Sequence, residues 1–366
     1  MKTAIVHEWL TARAGSELCF ERIAGLWPTA DLFALSKDPS VSFDFGGRPV
    51  ATTALDRVAR SQAGRAASLP LMAPAFRTLR PREPYDLVVS STHAYNRAFA
   101  HPDAVHLSYT YTPVRYVWYP ETDTRGAGSA LAPARRILKT LDLKLARNTT
   151  AFAGISTTVA KRIEAVYERH AEVVFPFADT DFFDVGAPDR HLPSRISSWS
   201  DGFVLSVGRL IPYKRHDLAI RVAGALGLPA VVAGAGPDLE RLRAVDAETA
   251  GTTVFVEGPS RETIRALYQA ATITVFPPDE DFGIVPVESL ACGTPVLALD
   301  SGGALDTVPT DVGVRSPSQD LPDMVDSAEK LLANLPASST CRDWSLNFSP
   351  DTFDARFRAW VERWTN

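Results

Sequence analysis

The apolar positions of this chain fall in short β-branched runs, separated by longer stretches of helical period. Residues 3–7, 87–90, 105–109 and 151–155 read as strands, and a helix over 129–147 carries Leu131, Leu138, Leu141 and Leu145 on one stripe. A second series follows, with strands at 203–207, 230–233, 253–256, 273–276 and 296–298 and helices at 216–227, 239–247, 262–271 and 287–292. Alternation of this kind predicts parallel sheets covered by helices on both faces, hence two doubly wound α/β domains. Residues 176–202 hold Pro176, Gly186, Pro188, Pro193 and several serines without a sustained period, and read as the linker region between the domains. Over 350–364, Phe353, Phe357, Trp360, Val361 and Trp364 recur at helical spacing, so this last helix needs a surface that buries its aromatics.

Composition narrows the class. At 366 residues, 45% hydrophobic and 22% charged, the chain has ordinary globular composition and enough length for two cores. Cys19, Cys292 and Cys341 are too few and too far apart for a disulfide framework or a CxxC metal knuckle, and fit a reducing cytoplasm. The opening residues, MKTAIVHEWL, interrupt their apolar stretch with His7 and Glu8, which argues against a signal peptide. No apolar run approaches the roughly 20 residues of a membrane span. A soluble, cytoplasmic protein is expected.

Charge is unevenly placed. Residues 1–176 hold 22 Lys and Arg against 16 Asp and Glu, a net +6, so the total of -5 leaves -11 for the rest. Arg57, Arg60 and Arg65, then Arg77, Arg80 and Arg82, then Arg135, Arg136, Lys139, Lys144 and Arg147 form basic stretches interleaved with Leu and Ala. Such stretches can rest peripherally on an anionic inner membrane face or steer an anionic acceptor; the alternative is a set of solvated helix faces. Nucleic acid fits poorly, because these stretches lack aromatic platforms for bases.

The densest chemistry lies at 279–303, DEDFGIVPVESLACGTPVLALDSGG. The strand before it ends near Pro278, which puts Glu280 at a strand's carboxyl end and Glu288 in the first turn of the next helix. The amides of Gly283, Ile284 and Val285 would then stand unpaired at a helix start, where free donors and the macrodipole favour an anion such as a diphosphate. Carboxylates beside such a site need hydroxyl donors, and a ribose or hexose supplies them. The alternative is an ordinary strand-to-helix junction with two solvated glutamates. A second constellation, VGRLIPYKRH at 207–216, follows the first strand of the second domain. Ligands of doubly wound sheets bind beyond strand carboxyl ends, so Arg209 and Lys214 fall where a phosphate could be clamped, with Gly208 allowing close backbone approach. Taken alone, the two cations read as surface residues. The 234–237 loop, GAGP, is a weak signal of the same sort, and none of these is a Walker loop or a dinucleotide fingerprint.

Together, Gly208-Arg209-Leu210 with Lys214, and Glu280 to Glu288 with FGIVP inside an E-x7-E spacing, resemble the retaining glycosyltransferases of family 4, which have the GT-B fold. The similarity extends over the chain. His7-Glu8-Trp9-Leu10 with Gly15-Ser16-Glu17 resembles that family's first strand and glycine loop. Ser90 to His93 and YTYTPVRYVW at 109–118 resemble segments of polysaccharide mannosyl- and rhamnosyltransferases.

The resemblance implies two Rossmann-like domains facing across a cleft, an acceptor-binding domain of 1–176 with 350–366, and a donor-binding domain of 177–349. It implies that Arg209 and Lys214 hold the donor diphosphate, that Glu280 takes sugar hydroxyls and Glu288 the ribose, and that Phe282, Gly283, Ile284 and Val285 complete the donor site. Gly15 and Ser16 would close over the diphosphate, Val256 and Gly258 would read the base, and His93 would contact the transferred sugar. Arg115 and Tyr111 are the acceptor candidates. No DxD arrangement flanked by strand signals appears, and no His/Cys cluster has ligand spacing, so metal independence and no further cofactor are expected. Three departures bear on specificity: Tyr111 replaces the usual histidine, Ala14-Gly15 replaces a double glycine, and Glu257-Gly258-Pro259 replaces a glycine-arginine turn. A GDP-mannose type donor is favoured, with UDP-sugars next, and the acceptor is a glycan, lipid-linked or small-molecule hydroxyl. The alternatives are a sugar-nucleotide-binding module without turnover, or an epimerase or phosphorylase of the same fold; a nicotinamide oxidoreductase lacks its glycine fingerprint.

Overall fold

The computed structural model describes residues 1–120, 134–188, 190–197, 199, 202–249 and 252–365, with Gln62 by its backbone alone. The chain divides into two compact units, Met1–Pro176 with Phe353–Asn366, and Phe177–Thr352. The first unit holds β1 (Thr3–Leu10), β2 (Asp31–Lys37), β3 (Val50–Thr52), β4 (Leu87–Thr92), β5 (Val105–Thr110), β6 (Ala151–Gly154) and β7 (Ala171–Val173). They form one sheet in the order β3-β2-β1-β4-β5-β6-β7, with every pairing parallel. The second unit holds β8 (Val204–Val207), β9 (Ala230–Gly234), β10 (Thr253–Glu257), β11 (Ile273–Phe276), β12 (Val296–Leu299) and β13 (Gly313–Ser316), in the order β10-β9-β8-β11-β12-β13, again all parallel. The doubly wound α/β fold expected from the pattern is therefore present in both units.

Parallel strands covered on both faces bury their side chains on both sides, and all eight residues of β1 are buried, His7 and Glu8 included. The reading missed β2, β3, β7 and β13. The last three are only three or four residues long, too short for a period to show, and β3, β7 and β13 are sheet edges. The expected helix at 129–147 is described from Arg135 to Arg147, with Leu138 and Leu145 buried; Leu131 and the rest of 129–133 lie outside the described residues. Residues 176–202 are not a free linker. Phe183 and Ile196 are core residues of the second unit, and Phe182, Leu192 and Trp199 pack beside them, because five large apolar side chains in this stretch gain more from burial than from solvent. The last helix, Pro350–Thr365, buries Phe353, Phe357, Trp360 and Val361. Its Phe357 ring meets Tyr109 at 5.3 Å and Trp27 at 5.9 Å, and Asp354 receives Arg22 at 2.7 and 2.8 Å. All three cysteines are free thiols and buried. Among the described residues no helix is long and apolar enough to cross a membrane.

Candidate functional site

In a doubly wound sheet the connections run outward in opposite directions from one pair of neighbouring strands, and the loops leaving that pair open a crevice. In the second unit this pair is β8 and β11. The loop after β8 carries Gly208, Arg209 and Lys214; the loop after β11 carries Glu280, Phe282 and Gly283. The structure brings these two candidate groups together, and Lys214 Nζ forms an ion pair with Glu280 Oε1.

The β8 loop is held by its backbone. Gly208 N–H donates to Ala233 O at 3.0 Å, and Leu210 N–H donates to Ala235 O at 2.9 Å. Beneath it, buried His216 lies 3.1 Å from Arg209 O and 2.8 Å from Ser206 Oγ. A carbonyl can only accept, so Nε2–H donates to it and Nδ1 takes the serine proton. Burial lowers the His216 pKa and keeps this imidazole neutral. With its carbonyl fixed, Arg209 directs an exposed side chain that has no hydrogen bond or ion pair among the described residues. Lys214 ends the 3-10 turn Pro212–Lys214 and lies between the Tyr213 and Phe276 rings, 5.8 Å from each centroid. Gln319 ties the two loops, accepting from Arg215 at 2.9 Å and donating to Pro277 O at 2.8 Å.

The β11 loop is set by glycines. Gly303 N–H donates to Glu280 O at 2.7 Å, and a Cβ on Gly303 would come within 2.1 Å of Phe282 O, so only glycine permits this approach. Gly283, at φ 85°, turns the chain into the helix Ile284–Ala291. The amides of Gly283, Ile284 and Val285 make no hydrogen bond among the described residues, and Pro286 brings no donor of its own to the first turn. Phe282 is buried against Phe348. The helix begins earlier than the expected 287, since proline fits a first turn. Glu288 therefore sits on the second turn and not the first. It is half-buried, accepts from Tyr268 OH at 3.3 Å, and burial raises its carboxyl to about 7. Val256 is half-buried in β10, while Gly258 is exposed just beyond it, its N–H bonded to Gly234 O at 3.2 Å. Since β9 separates β10 from β8, these two residues stand apart from the Lys214–Glu280 pair.

In the first unit the corresponding pair is β1 and β4. Glu8 of β1 has no exposed surface, and its carboxylate accepts from the N–H groups of Ala94 at 2.9 Å, His93 at 3.0 Å and Asn96 at 3.4 Å. Burial raises its carboxyl to about 7, against the opposing pull of those amides and of Arg97. Glu8 thus fixes the turn that presents His93, which is half-buried and stacks on Tyr111 at 4.2 Å and 12°. Tyr111 OH is 3.0 Å from both Ser91 Oγ and Ser16 O, and His7 Nδ1 is 3.0 Å from Ser91 Oγ. Because Ser16 O only accepts, the protons run one way, from His7 through Ser91 and Tyr111 to the Ser16 carbonyl. Burial lowers the His7 pKa to about 4, so its Nε2 is unprotonated; it is buried without a partner. Ser16 and Gly15 open the helix Gly15–Leu26. Arg115 opens the short helix Arg115–Trp118 after β5 and is half-buried.

The hydroxyl of Tyr111, an acceptor candidate, bonds Ser91 and Ser16. Tyr111→Phe keeps the ring under His93 and removes both bonds, and is expected to cost about 1–2 kcal/mol in urea unfolding; an unchanged midpoint would show that the bonds contribute nothing. Sequence reasoning also missed His7, Glu8, Ser91, His216, Gln319 and Gly303 as parts that shape these loops. A histidine and a glutamate inside the apolar run of β1 were the available signal, since charge at a doubly buried strand needs partners.

Residues 196–346 match the family described as "Glycosyl transferases group 1". The D-inositol 3-phosphate glycosyltransferase of Mycolicibacterium smegmatis is 32% identical over 177 residues, covering 46% of this chain and 41% of that protein. The enzyme of the same name from Acidothermus cellulolyticus is 32% identical over 202 residues, covering 50% and 44%. The chain thus spans less than half the length of these curated relatives. Among solved structures, sucrose-phosphate synthase from Thermosynechococcus elongatus superposes with a TM-score of 0.75 at 17% identity over 99% of each chain. Anabaena HepE in complex with UDP and glucose superposes with a TM-score of 0.70 at 18% identity, over 98% of this chain and 99% of that one. This chain therefore has the fold of those structures, the GT-B fold of two Rossmann-like α/β domains.

Proposed function

We propose that this protein is a retaining, metal-independent glycosyltransferase that moves a hexose from a nucleoside diphosphate sugar to a hydroxyl acceptor. The observation that carries the reading is the exposed Arg209, on a loop adjoining the Lys214–Glu280 pair and three helix-start amides, with neither the guanidinium nor those amides paired among the described residues. Cations and amide donors on adjoining loops suit a diphosphate, and as the glycosidic bond breaks the charge left on the leaving group grows, so the same groups lower the barrier. Glu280 accepts from hydroxyls of the sugar once it enters, and Glu288 from the ribose. Phe282 shapes the turn beneath them, and Val256 and Gly258 meet the base. Gly15, Ser16 and His93 supply the donor contacts of the first unit, and Arg115 and Tyr111 belong to the acceptor side.

The match over 196–346 supports this reading, since it covers every proposed donor-binding residue of the second unit. A structure solved with UDP and glucose puts UDP-sugars in the test beside the GDP-mannose type donor favoured by the sequence. The test is the melting temperature in EDTA with GDP-mannose, UDP-glucose and their free diphosphates. Ligand at 100 times its Kd stabilises by about 2.7 kcal/mol, a shift of several degrees. A rise with one nucleotide series is expected; no rise with any would overturn the donor assignment, and a rise that needs added magnesium would overturn metal independence.

A further inference from the structure

The first unit also holds a cavity away from the β1/β4 crevice. At the carboxyl ends of β2 and β3 an open cavity of about 450 Å³ is lined by Lys37, Ser42, Phe43, Thr52, Asp56 and Arg60, among others. That volume lies in the range of small-molecule sites and accommodates a monosaccharide with a substituent. We propose that this cavity binds a saccharide bearing one phosphate or carboxylate, as the acceptor side of the reaction.

The lining is built from fixed parts. Asp56 accepts from the Lys37 backbone N–H at 2.8 Å and pairs with Arg60, so that one carboxylate is spent holding the floor. Asp38, next to Lys37 in the chain, is turned to Ser40 N–H at 2.9 Å and Ser40 Oγ at 2.7 Å. The Lys37 ammonium forms no ion pair or hydrogen bond among the described residues and lies 5.9 Å from the Phe45 ring. The hydroxyls of Ser42 and Thr52 likewise have no partner among the described residues. Phe43 lines one side, its ring braced by Phe45 at 5.7 Å and by the Arg13 guanidinium at 5.4 Å. One unspent cation, two unspent hydroxyls and an aromatic wall match the parts of a singly charged sugar: the anion, the ring hydroxyls and the apolar face of C–H groups.

Its place in the fold points to the acceptor. In a parallel sheet the carboxyl ends of β1, β2 and β3 lie along one edge, so the cavity opens on the same edge as Gly15 and Ser16. Arg13 links the two directly: it lies two residues before Gly15, donates to Ser42 O at 2.7 Å and forms an ion pair with Glu21 at 2.9 Å. The cavity wall and the glycine turn are one braced structure. The acceptor part of this inference rests on the glycosyltransferase reading; the binding part does not.

The test is calorimetric titration of the full chain with glucose 6-phosphate, glucuronate and glucose. The two anionic sugars are expected to bind at least tenfold more tightly than glucose, Lys37→Ala to remove that preference, and Phe43→Ala to weaken all three. Thr52→Val, a nearly isosteric change, should weaken binding without lowering the melting temperature, which guards against misfolding in the other variants. Equal binding of glucose and its charged forms, absence of binding by either anionic sugar, or a Lys37→Ala protein that binds as the unaltered one does, each overturns the site. Incubation with the nucleotide sugar then separates the roles. A product that retains the anionic group supports the acceptor assignment. Donor turnover altered by the bound sugar without its incorporation marks an effector and overturns that assignment. Binding that depends on Lys37 with no turnover of any sugar nucleotide leaves the site standing and refutes the glycosyltransferase reading.

Discussion

Arg209→Ala is expected to lower kcat/KM for the nucleotide sugar by about 100- to 1,000-fold while leaving stability within about 0.5 kcal/mol of the unaltered protein. The first magnitude is that of removing one donor aimed at charge that develops in a transition state. The second follows from exposure: Arg209 has no ion pair or hydrogen bond among the described residues to lose, and the loop beneath it is held by Gly208, Leu210 and His216 rather than by the guanidinium. Lys214→Ala should differ in kind. Lys214 is shielded and already paired with Glu280, so its removal also frees that carboxylate to repel a diphosphate. Lys214→Ala and Glu280→Ala should consequently be non-additive, and their double-mutant cycle should show coupling of about 0.5–3 kcal/mol, whereas Arg209→Ala should add to Glu280→Ala more nearly independently. Steady-state kinetics with thermal denaturation separates these outcomes. An Arg209→Ala protein with unchanged kcat/KM would remove the guanidinium from the clamp.

Asp142→Ala is expected to destabilise the first unit by about 3–5 kcal/mol, which corresponds to roughly 10 °C in Tm. Asp142 and its partner Arg97 have no exposed side-chain surface, and the carboxylate also accepts from Trp118 Nε1 at 2.7 Å and Tyr167 OH at 2.8 Å. Taking it away strands a guanidinium whose Nε and Nη1 already lack partners. The cost comes from the abandoned charge and not from the pair as such, so Arg97→Met combined with Asp142→Leu should recover much of the loss. The network also spans the turn Asn96–Phe99, the helix Arg135–Arg147 and Trp118 of the segment that carries Arg115. Its loss should therefore lower stability and disturb that segment together. Urea unfolding followed by tryptophan fluorescence is the measurement; a loss below 1 kcal/mol would mean that water reaches Arg97.

How much of this was legible depended on the length and composition of each piece. The fold class was legible because β8, β9, β11 and β12 are buried, largely apolar runs alternating with helical periods. The edge strands β3, β7 and β13 were not, being three or four residues held by neighbours. At the candidate site, Arg209, Lys214, Glu280 and Gly283 stood out because each follows a strand end, where a doubly wound sheet places ligands. The supports beneath them did not stand out. His216, Gln319 and Gly303 act by what they touch across the sheet, and separations of 7, 42 and 23 residues carry no local pattern. The contacts of Tyr111 were hidden in the same way: the bond from its hydroxyl to the carbonyl of Ser16 spans 95 residues.

Sugar transfer by this chain is measured by the fate of the donor in EDTA: nucleoside diphosphate released from a nucleotide sugar, with the anomeric configuration of the product read by NMR. Release of the diphosphate is expected in step with a product of retained configuration, both reduced by Arg209→Ala. Binding of the nucleotide sugar with no release in the presence of any hydroxyl acceptor would contradict transfer, and an inverted product would contradict the retaining mechanism.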